Sequence, residues 1–236
     1  MATVILVRHG RSSANGSGVL AGRTPGVKLD ETGVQQAAAV GERLAVLPLA
    51  AVVTSPLERC KQTAAAIASH HPQLRTATDK RLTECGYGDW TGQKLTALMK
   101  DPLWSVVQQH PSAVTFPNGE SMRTMQQRAV DAIRDHDARV AAEHGADAIW
   151  VAVSHGDVIK AIVADALGVH LDTFQRIVVD TATTTVITYT PTRPFVVRLN
   201  DSGSELASLV PKPAAGSKGR RRKPAERSSD AVVGGR

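Results

Sequence analysis

Two short apolar runs, each followed by a histidine and a glycine, most strongly constrain the fold of this chain. Residues 4–7 lead to Arg8, His9 and a glycine, and residues 150–153 lead to His155 by way of a serine. Short apolar runs with many β-branched residues are typical of buried strands and are too short for ordinary helices. Because open α/β sheets bind ligands beyond the carboxyl ends of their strands, both histidines are expected at one sheet edge.

Apolar runs alternate with helical patterns along the rest of the chain. Strands are predicted over residues 3–7, 51–54, 148–153, 176–180, 184–190 and 195–199. Helices are predicted over residues 31–47, 57–70, 93–100, 120–144 and 157–167. This alternation predicts an α/β fold, a three-layer sandwich whose mainly parallel central sheet is flanked by helices. The last two strands, separated by a proline-containing turn, are expected to add to one edge in antiparallel orientation.

The length of the chain fits one substantial core, and we predict a single catalytic domain over residues 1–200. Residues 201–236 carry eight basic and four acidic side chains, so they supply +4 of the net charge of +6. Their Pro, Gly, Ser and basic content predicts a disordered tail. Two interpretations of this tail stay open: contact with nucleic acid or another anionic surface, and a functionally idle appendage.

Composition also limits where the protein works. No apolar run is long enough to span a bilayer, and no signal peptide is evident at the first strand. Cys60 and Cys85 are the two cysteines, too few for a disulfide framework, so both are predicted to fill the core in a reducing, cytoplasmic setting. Six further histidines are predicted to be ordinary surface residues: His70, His71, His110, His136, His144 and His170.

Two more segments carry residues suited to phosphate chemistry. Arg59 lies in the first turn of a helix that begins just after a strand, where free N–H groups and the helix dipole favour an anion. Its guanidinium fork suits phosphate oxygens, although a surface arginine paired with Glu58 is the alternative. Glu84 lies in a loop with several glycines, and a carboxyl group there could protonate a departing alkoxide.

Five motifs occur together in one order: LVRHG, SPLERCKQTA, LTECGYGDWTG, PNGES and VSHGD. This set resembles the histidine phosphatase superfamily, the phosphoglycerate mutase-like group, over most of residues 3–200. The resemblance implies that His9 is a nucleophile that forms a phosphohistidine. It also implies a phosphate pocket made by Arg8, Arg59 and His155, and a proton donor in Glu84.

The resemblance suggests further residues around this pocket. Asn15 matches an asparagine often found nearby, and Arg23 lies where relatives contact phosphate or substrate. Gly156 would let the backbone approach a ligand closely. Glu120 and Ser121 belong to a motif that either shapes the substrate side or simply starts a helix.

These observations predict a metal-independent phosphomonoester hydrolase that acts on a small phosphorylated metabolite, with no cofactor. A phosphomutase with the same phosphohistidine is the alternative, and a non-catalytic phospho-ligand sensor is a third interpretation. The insert that cofactor-dependent phosphoglycerate mutases carry is not evident after Trp90, which favours hydrolysis. Arg11 departs from the usual family pattern and either favours an acidic substrate or points to solvent. A homodimer, formed through an edge strand or an exposed helix, is compatible with the sequence.

Overall fold

The computed structural model describes residues 2–203. Residues 204–236, which hold nearly all of the predicted basic tail, lie outside the described residues, so the interpretations of that tail stay predictions. Within the described part of the chain, no helix is both long enough and apolar enough to cross a bilayer.

One six-stranded sheet organises the described residues, in the order β3-β2-β4-β1-β5-β6. Its strands are β1 (Thr3–Arg8), β2 (Leu49–Thr54), β3 (Thr76–Thr78), β4 (Ile149–Ser154), β5 (Thr184–Tyr189) and β6 (Pro194–Asp201). The pairings among β1 to β4 are parallel, whereas β5 and β6 are antiparallel additions at one edge. The predicted α/β class and the antiparallel edge are therefore confirmed.

Seven α-helices accompany the sheet in residues 2–203. They are α1 (Ser13–Ser17), α2 (Glu31–Leu44), α3 (Glu58–Ala68), α4 (Leu95–Leu98), α5 (Pro102–Gln109), α6 (Met122–His144) and α7 (Gly156–Ala166). Short 3-10 turns cover Lys80–Leu82, Gly88–Trp90, Pro111–Ala113 and Leu171–Arg176.

Side chains of β1 alternate between two hydrophobic clusters on opposite faces of the sheet. Val4 and Leu6 pack into the larger cluster with α6 and α7, whereas Ile5 and Val7 pack into the smaller one with α2 and α3. Since successive strand residues point to opposite faces, a strand apolar at every position must be covered on both sides. The three predicted layers are therefore confirmed.

The helix starts follow from local capping. Asp30 caps α2, the first long helix, by accepting a hydrogen bond from the Gly33 N–H at 2.8 Å. Ser121 caps α6 by accepting from the Thr124 N–H at 3.0 Å. These contacts satisfy N–H groups that a helix leaves unpaired in its first turn.

The strand predicted over residues 176–180 is wrong. This segment follows a 3-10 turn, and its Ile177 and Val179 side chains are buried without a strand partner. Both edges of β1 are paired, by β4 and β5, so this apolar segment cannot join the sheet beside β1. The backbone carbonyl of Val179 instead accepts a hydrogen bond from Arg8 Nη1 at 2.7 Å.

Smaller differences concern short or polar elements. The sequence pattern did not predict α1, α5 or β3. The β3 strand has only three residues, and all three are exposed. His71, predicted at the surface, is buried directly after α3, and His136 is partly buried against Asp79, with 2.9 Å between His136 Nε2 and Asp79 Oδ2.

Candidate active site

The carboxyl ends of β1 and β4 bring the two histidines together. These strands are parallel neighbours in which Arg8 pairs with Ser154, so the residues that follow them lie side by side. The His9 N–H donates to the Ser154 carbonyl at 3.0 Å, and the imidazole centroids of His9 and His155 are 5.2 Å apart in an edge-to-face arrangement. The sheet register therefore places both rings in one buried site, as the sequence predicted.

The His9 ring is held as one neutral tautomer. Its Nδ1 lies 2.7 Å from the carbonyl oxygen of Gly10, which can only accept, so Nδ1 carries the proton. Its Nε2 accepts a hydrogen bond from Arg59 Nε at 3.2 Å. Burial, followed by the charges of Arg59 and Arg8, places the pKa of His9 well below its usual value. His9 Nε2 is therefore unprotonated at neutral pH, and its lone pair points to Arg59.

Arg59 links the parts of the site. Besides the bond to His9, its Nη2 donates to the Gly22 carbonyl at 2.9 Å and to His155 Nδ1 at 3.3 Å. Its Nη1 is buried and has no hydrogen-bond partner among residues 2–203. A buried guanidinium nitrogen with unused donors is suited to an anion, because leaving such a group unsatisfied is unfavourable.

His155 is neutral as well. Arginine can only donate, so His155 Nδ1 accepts from Arg59, and the proton on Nε2 is donated to Ser55 Oγ at 2.8 Å. Burial is the main reason that the pKa of His155 lies well below its usual value, with Arg59 adding to the effect. Two adjacent uncharged imidazoles thus face a region that arginines make positive.

Glu84 contributes a carboxyl group of unusual acidity. Burial, and then the nearby Asp157 carboxylate, raise the pKa of Glu84 to about 7. Its Oε1 accepts from the Cys85 N–H at 3.0 Å, and its Oε2 lies 3.8 Å from His155 Nδ1. A carboxyl group with a pKa near neutrality is suited to donate and accept protons in turn.

Arg8 and Gly156 form the back of the site. The Arg8 side chain is fully buried, and its guanidinium remains cationic although burial lowers its pKa. Gly156 lies against the Arg8 guanidinium, from which a Cβ atom on this glycine would stand 3.4 Å, an ordinary van der Waals distance. Gly10 likewise passes close to α2, since a Cβ there would lie 2.4 Å from the Gly33 carbonyl oxygen.

The remaining predicted residues fall into two groups. Arg23 lies beside the loop that carries Glu84. Its Nε donates to the Glu84 backbone carbonyl at 2.8 Å, and its Nη2 pairs with Glu120 Oε2 at 2.8 Å. Asn15 accepts hydrogen bonds from Ser12 in the capping box of α1, and Ser121 caps α6. The helix-start interpretation therefore describes the contacts of Ser121, whereas Glu120 borders the site.

Sequence reasoning did not single out three residues that contact the core of the site. Ser55 follows β2 as the histidines follow β1 and β4, a signal that could have identified it. Tyr87 and Asp157 meet over a separation of 70 residues, which no local pattern reveals. Within residues 2–203, no three His, Cys, Asp or Glu side chains are grouped so as to hold a metal ion.

Two buried neutral histidines, two buried arginines and one weakly acidic carboxyl thus lie together at the strand ends of a three-layer α/β fold, an arrangement of cations and hydrogen-bond donors that suits an anion. The chain belongs to the histidine phosphatase superfamily (branch 1), whose family model matches residues 4–202. This match confirms the resemblance inferred from the five sequence motifs.

The chain is also similar to several individual proteins. The chain is 48% identical over 111 residues to Rv0525 of Mycobacterium tuberculosis. The aligned region covers 42% of this chain and 54% of Rv0525, so the chain spans about half the length of this relative. It is 30% identical over 205 residues to phosphoserine phosphatase 1 of Hydrogenobacter thermophilus, covering 85% and 92% of the two chains. The solved structure of YhfR from Bacillus stearothermophilus has a TM-score of 0.77 at 27% identity, covering 85% and 98%.

Proposed function

We propose that this protein is a phosphatase that hydrolyses a small phosphomonoester through a phosphohistidine on His9, without a metal ion. The observation that carries the proposal is the neutral His9 ring: its unprotonated Nε2 accepts from Arg59 Nε, and the buried Nη1 of the same arginine has no hydrogen-bond partner among residues 2–203. This places a nucleophile next to an anion site, which is the requirement for attack on a phosphoryl group.

In the first step, His9 Nε2 attacks phosphorus and the bond from phosphorus to the ester oxygen breaks. The departing oxygen takes the proton of the Glu84 carboxyl, so that a neutral alcohol leaves. The positive charge that develops on His9 is stabilised by the Gly10 carbonyl, which accepts from Nδ1 at 2.7 Å. General acid catalysis of this kind contributes about 10²- to 10⁴-fold to a rate.

Charge on the phosphoryl oxygens would be offset by Arg8 and Arg59, both buried in a setting where electrostatic effects are strong. His155 assists in a different way. A phosphate dianion beside its ring would oppose the effect of Arg59 and favour protonation of the imidazole, which could then donate to the phosphate. Positioning and electrostatics carry most of the catalysis of phosphoryl transfer.

In the second step, the Glu84 carboxylate takes a proton from water while the water oxygen attacks phosphorus. The bond between phosphorus and Nε2 breaks, which returns the lone pair to His9 and the proton to Glu84. Inorganic phosphate leaves and the site is restored. One carboxyl group with a pKa of about 7 serves both steps, because near neutral pH both of its forms are populated.

Hydrolysis is preferred over mutase chemistry because the insert of cofactor-dependent phosphoglycerate mutases is not evident after Trp90. The similar proteins carry names of both kinds, among them phosphoserine phosphatase 1 of Hydrogenobacter thermophilus and the probable phosphoglycerate mutase GpmB of Erwinia tasmaniensis. For the natural substrate we propose its chemical class, a small phosphomonoester. Incubation with 3-phosphoglycerate separates the two activities: free phosphate supports a phosphatase, whereas isomerised phosphoglycerate supports a mutase.

The direct test replaces His9 by alanine. His9→Ala is expected to abolish release of phosphate from an activated aryl phosphate and to abolish acid-labile labelling of the protein by radioactive phosphate, with the melting temperature retained. His144→Ala, at the exposed end of α6, is the matched control and should keep wild-type turnover. Wild-type turnover in EDTA supports metal independence. Turnover by His9→Ala at the wild-type rate would overturn the mechanism.

A further inference from the structure

We infer that the buried hydrogen bond between Tyr87 and Asp157 is a positioning contact that holds the proton-donating loop against the phosphate-binding residues. Both residues would be positioning residues for the reaction, acting through Glu84. The inference rests on the proposed function, since it assigns these residues a part in delivering the Glu84 proton.

The bond joins two segments that each carry one part of the site. Tyr87 follows Glu84 by three residues in the loop after the Lys80–Leu82 turn, and Asp157 follows His155 by two residues in the first turn of α7. The Tyr87 hydroxyl donates to Asp157 Oδ2 at 2.7 Å, and both side chains are fully buried. A buried hydrogen bond to a carboxylate is short and strong, so it fixes the distance between the loop and the helix.

Packing keeps the Tyr87 ring in place independently of its hydroxyl. The ring meets Phe116 edge to face, with centroids 5.1 Å apart. Burial, and then the charge of Asp157, hold the pKa of Tyr87 well above its usual value, so the hydroxyl stays a donor over the working pH range. A phenylalanine at this position would keep the packing and lose only the hydrogen bond.

Asp157 is also close to a buried lysine. Lys160 Nζ lies 4.0 Å from Asp157 Oδ1, donates to Gln175 Oε1 at 3.1 Å and lies 5.5 Å from the centre of the Phe174 ring. A buried carboxylate needs such partners to remain ionised. The Asp157 charge is therefore built into the core directly behind the site.

That charge affects Glu84 through space. Asp157 is the largest charge that raises the pKa of Glu84, second only to burial, while Arg59 and Arg8 lower it. The titratable groups around Glu84 come from β1, α3, α6, α7, the loop that carries Glu84 and the segment between α1 and α2: they are Arg8, Arg23, Arg59, Cys60, Cys85, Tyr87, Arg128, His155, Asp157 and Lys160. Of these, Asp157 raises the pKa of Glu84 most, after burial, and so increases the fraction of Glu84 that is protonated at neutral pH.

The hydroxyl and the charge have separable effects. Tyr87→Phe removes the bond and keeps the Asp157 charge, so kcat for an alkyl phosphomonoester should fall about tenfold while KM stays within about twofold. The decrease in kcat should be smaller for an activated aryl phosphate, because its leaving group needs little proton donation. The falling limb of kcat/KM against pH should keep its midpoint. Tyr189→Phe is the matched control, because the buried Tyr189 hydroxyl has no hydrogen-bond partner among residues 2–203.

Asp157→Asn removes the charge and keeps the shape. The falling limb of kcat/KM against pH should move to lower pH by about one unit in this variant, because the carboxylate that raises the pKa of Glu84 is gone. Asp137→Asn is the control: Asp137 is buried, accepts from the Trp150 indole at 3.2 Å, and belongs to another part of the core. Substrate ionisation is common to all variants, so differences in midpoint report on the protein.

The results separate this inference from the proposed function. If His9→Ala is inactive but Tyr87→Phe matches Tyr189→Phe with every substrate, the positioning role is wrong and the phosphatase proposal stands. If the falling limb of kcat/KM against pH has the same midpoint in Asp157→Asn as in the wild type, the Asp157 charge does not raise the pKa of Glu84. Should Asp157→Asn fail to fold, Tyr87→Phe with the two leaving groups decides alone. Wild-type turnover by His9→Ala would remove the basis of both proposals.

Discussion

Replacement of Glu84 by glutamine has a consequence for stability that can be worked out from the site. The pKa of Glu84 rises from its ordinary value of 4.5 to about 7 on folding, mainly because the carboxyl is buried. The unfolded chain therefore ionises first as the pH increases. Stability from this group is fully present below pH 4.5 and is lost as the pH rises through about 7.

The size of this loss follows from the pKa difference. The rise from 4.5 to about 7 corresponds to about 3 kcal/mol of folding free energy. The glutamine of Glu84→Gln cannot ionise. The free energy of unfolding of this variant, relative to that of the wild type, should therefore increase as the pH rises from 4.5, by roughly this amount once the pH exceeds about 7. Urea denaturation of both proteins across this pH range measures the difference.

The same variant should lose activity in a way that depends on the leaving group. Without a proton donor, an alkyl phosphomonoester should be hydrolysed about 10²- to 10⁴-fold more slowly. An activated aryl phosphate should still phosphorylate His9, and it should release a burst of aryl alcohol because the second step lacks its base. Rapid-quench measurement of the alcohol detects this burst.

A matched surface variant separates these effects from a generic one. Glu143→Gln, on the exposed end of α6, should show neither a pH-dependent stability gain nor a burst. If Glu84→Gln follows the wild-type dependence of stability on pH, Glu84 does not have a raised pKa; if it slows alkyl and activated aryl phosphates equally, Glu84 is not the proton donor.

Three further outcomes are expected. Arg59→Lys should lower kcat/KM about 10²- to 10³-fold in steady-state assays, since lysine cannot contact both imidazoles at once; a loss of less than about threefold would contradict the site. Ser121→Ala should lower the unfolding free energy in urea by about 1 kcal/mol through the lost helix cap, and an increase in KM would instead assign this residue to the substrate. Truncation after Gly203, beyond β6, should leave turnover of small substrates unchanged, and a large loss would give the tail a catalytic part.

The sequence predicted the features that depend on the strands and on the residues directly after each strand. His9, Arg59 and His155 could be placed together because parallel strands of one sheet end at one edge, which is a consequence of topology. The layers could be predicted from the unbroken apolar run of β1, whose neighbours differ on its two faces.

Features that depend on tertiary context could not be predicted in the same way. Residues 176–180 have a strand-like pattern, and only the occupied edges of β1 show why they form none. The contact between Tyr87 and Asp157 needs the loop and α7 to be placed in space first. Burial of Glu84, which sets its acidity, likewise depends on packing from several distant elements.

The hydrogen bonds that Arg59 makes within the protein bear on how the proposed phosphatase would release its product. The arginine donates to His9, to His155 and to the Gly22 carbonyl, so part of its capacity is engaged by the protein itself. In the proposed phosphatase, an incoming phosphate would exchange some of these contacts for its own, and they would form again when the phosphate departs. This exchange would lower the net affinity for inorganic phosphate and so limit product inhibition.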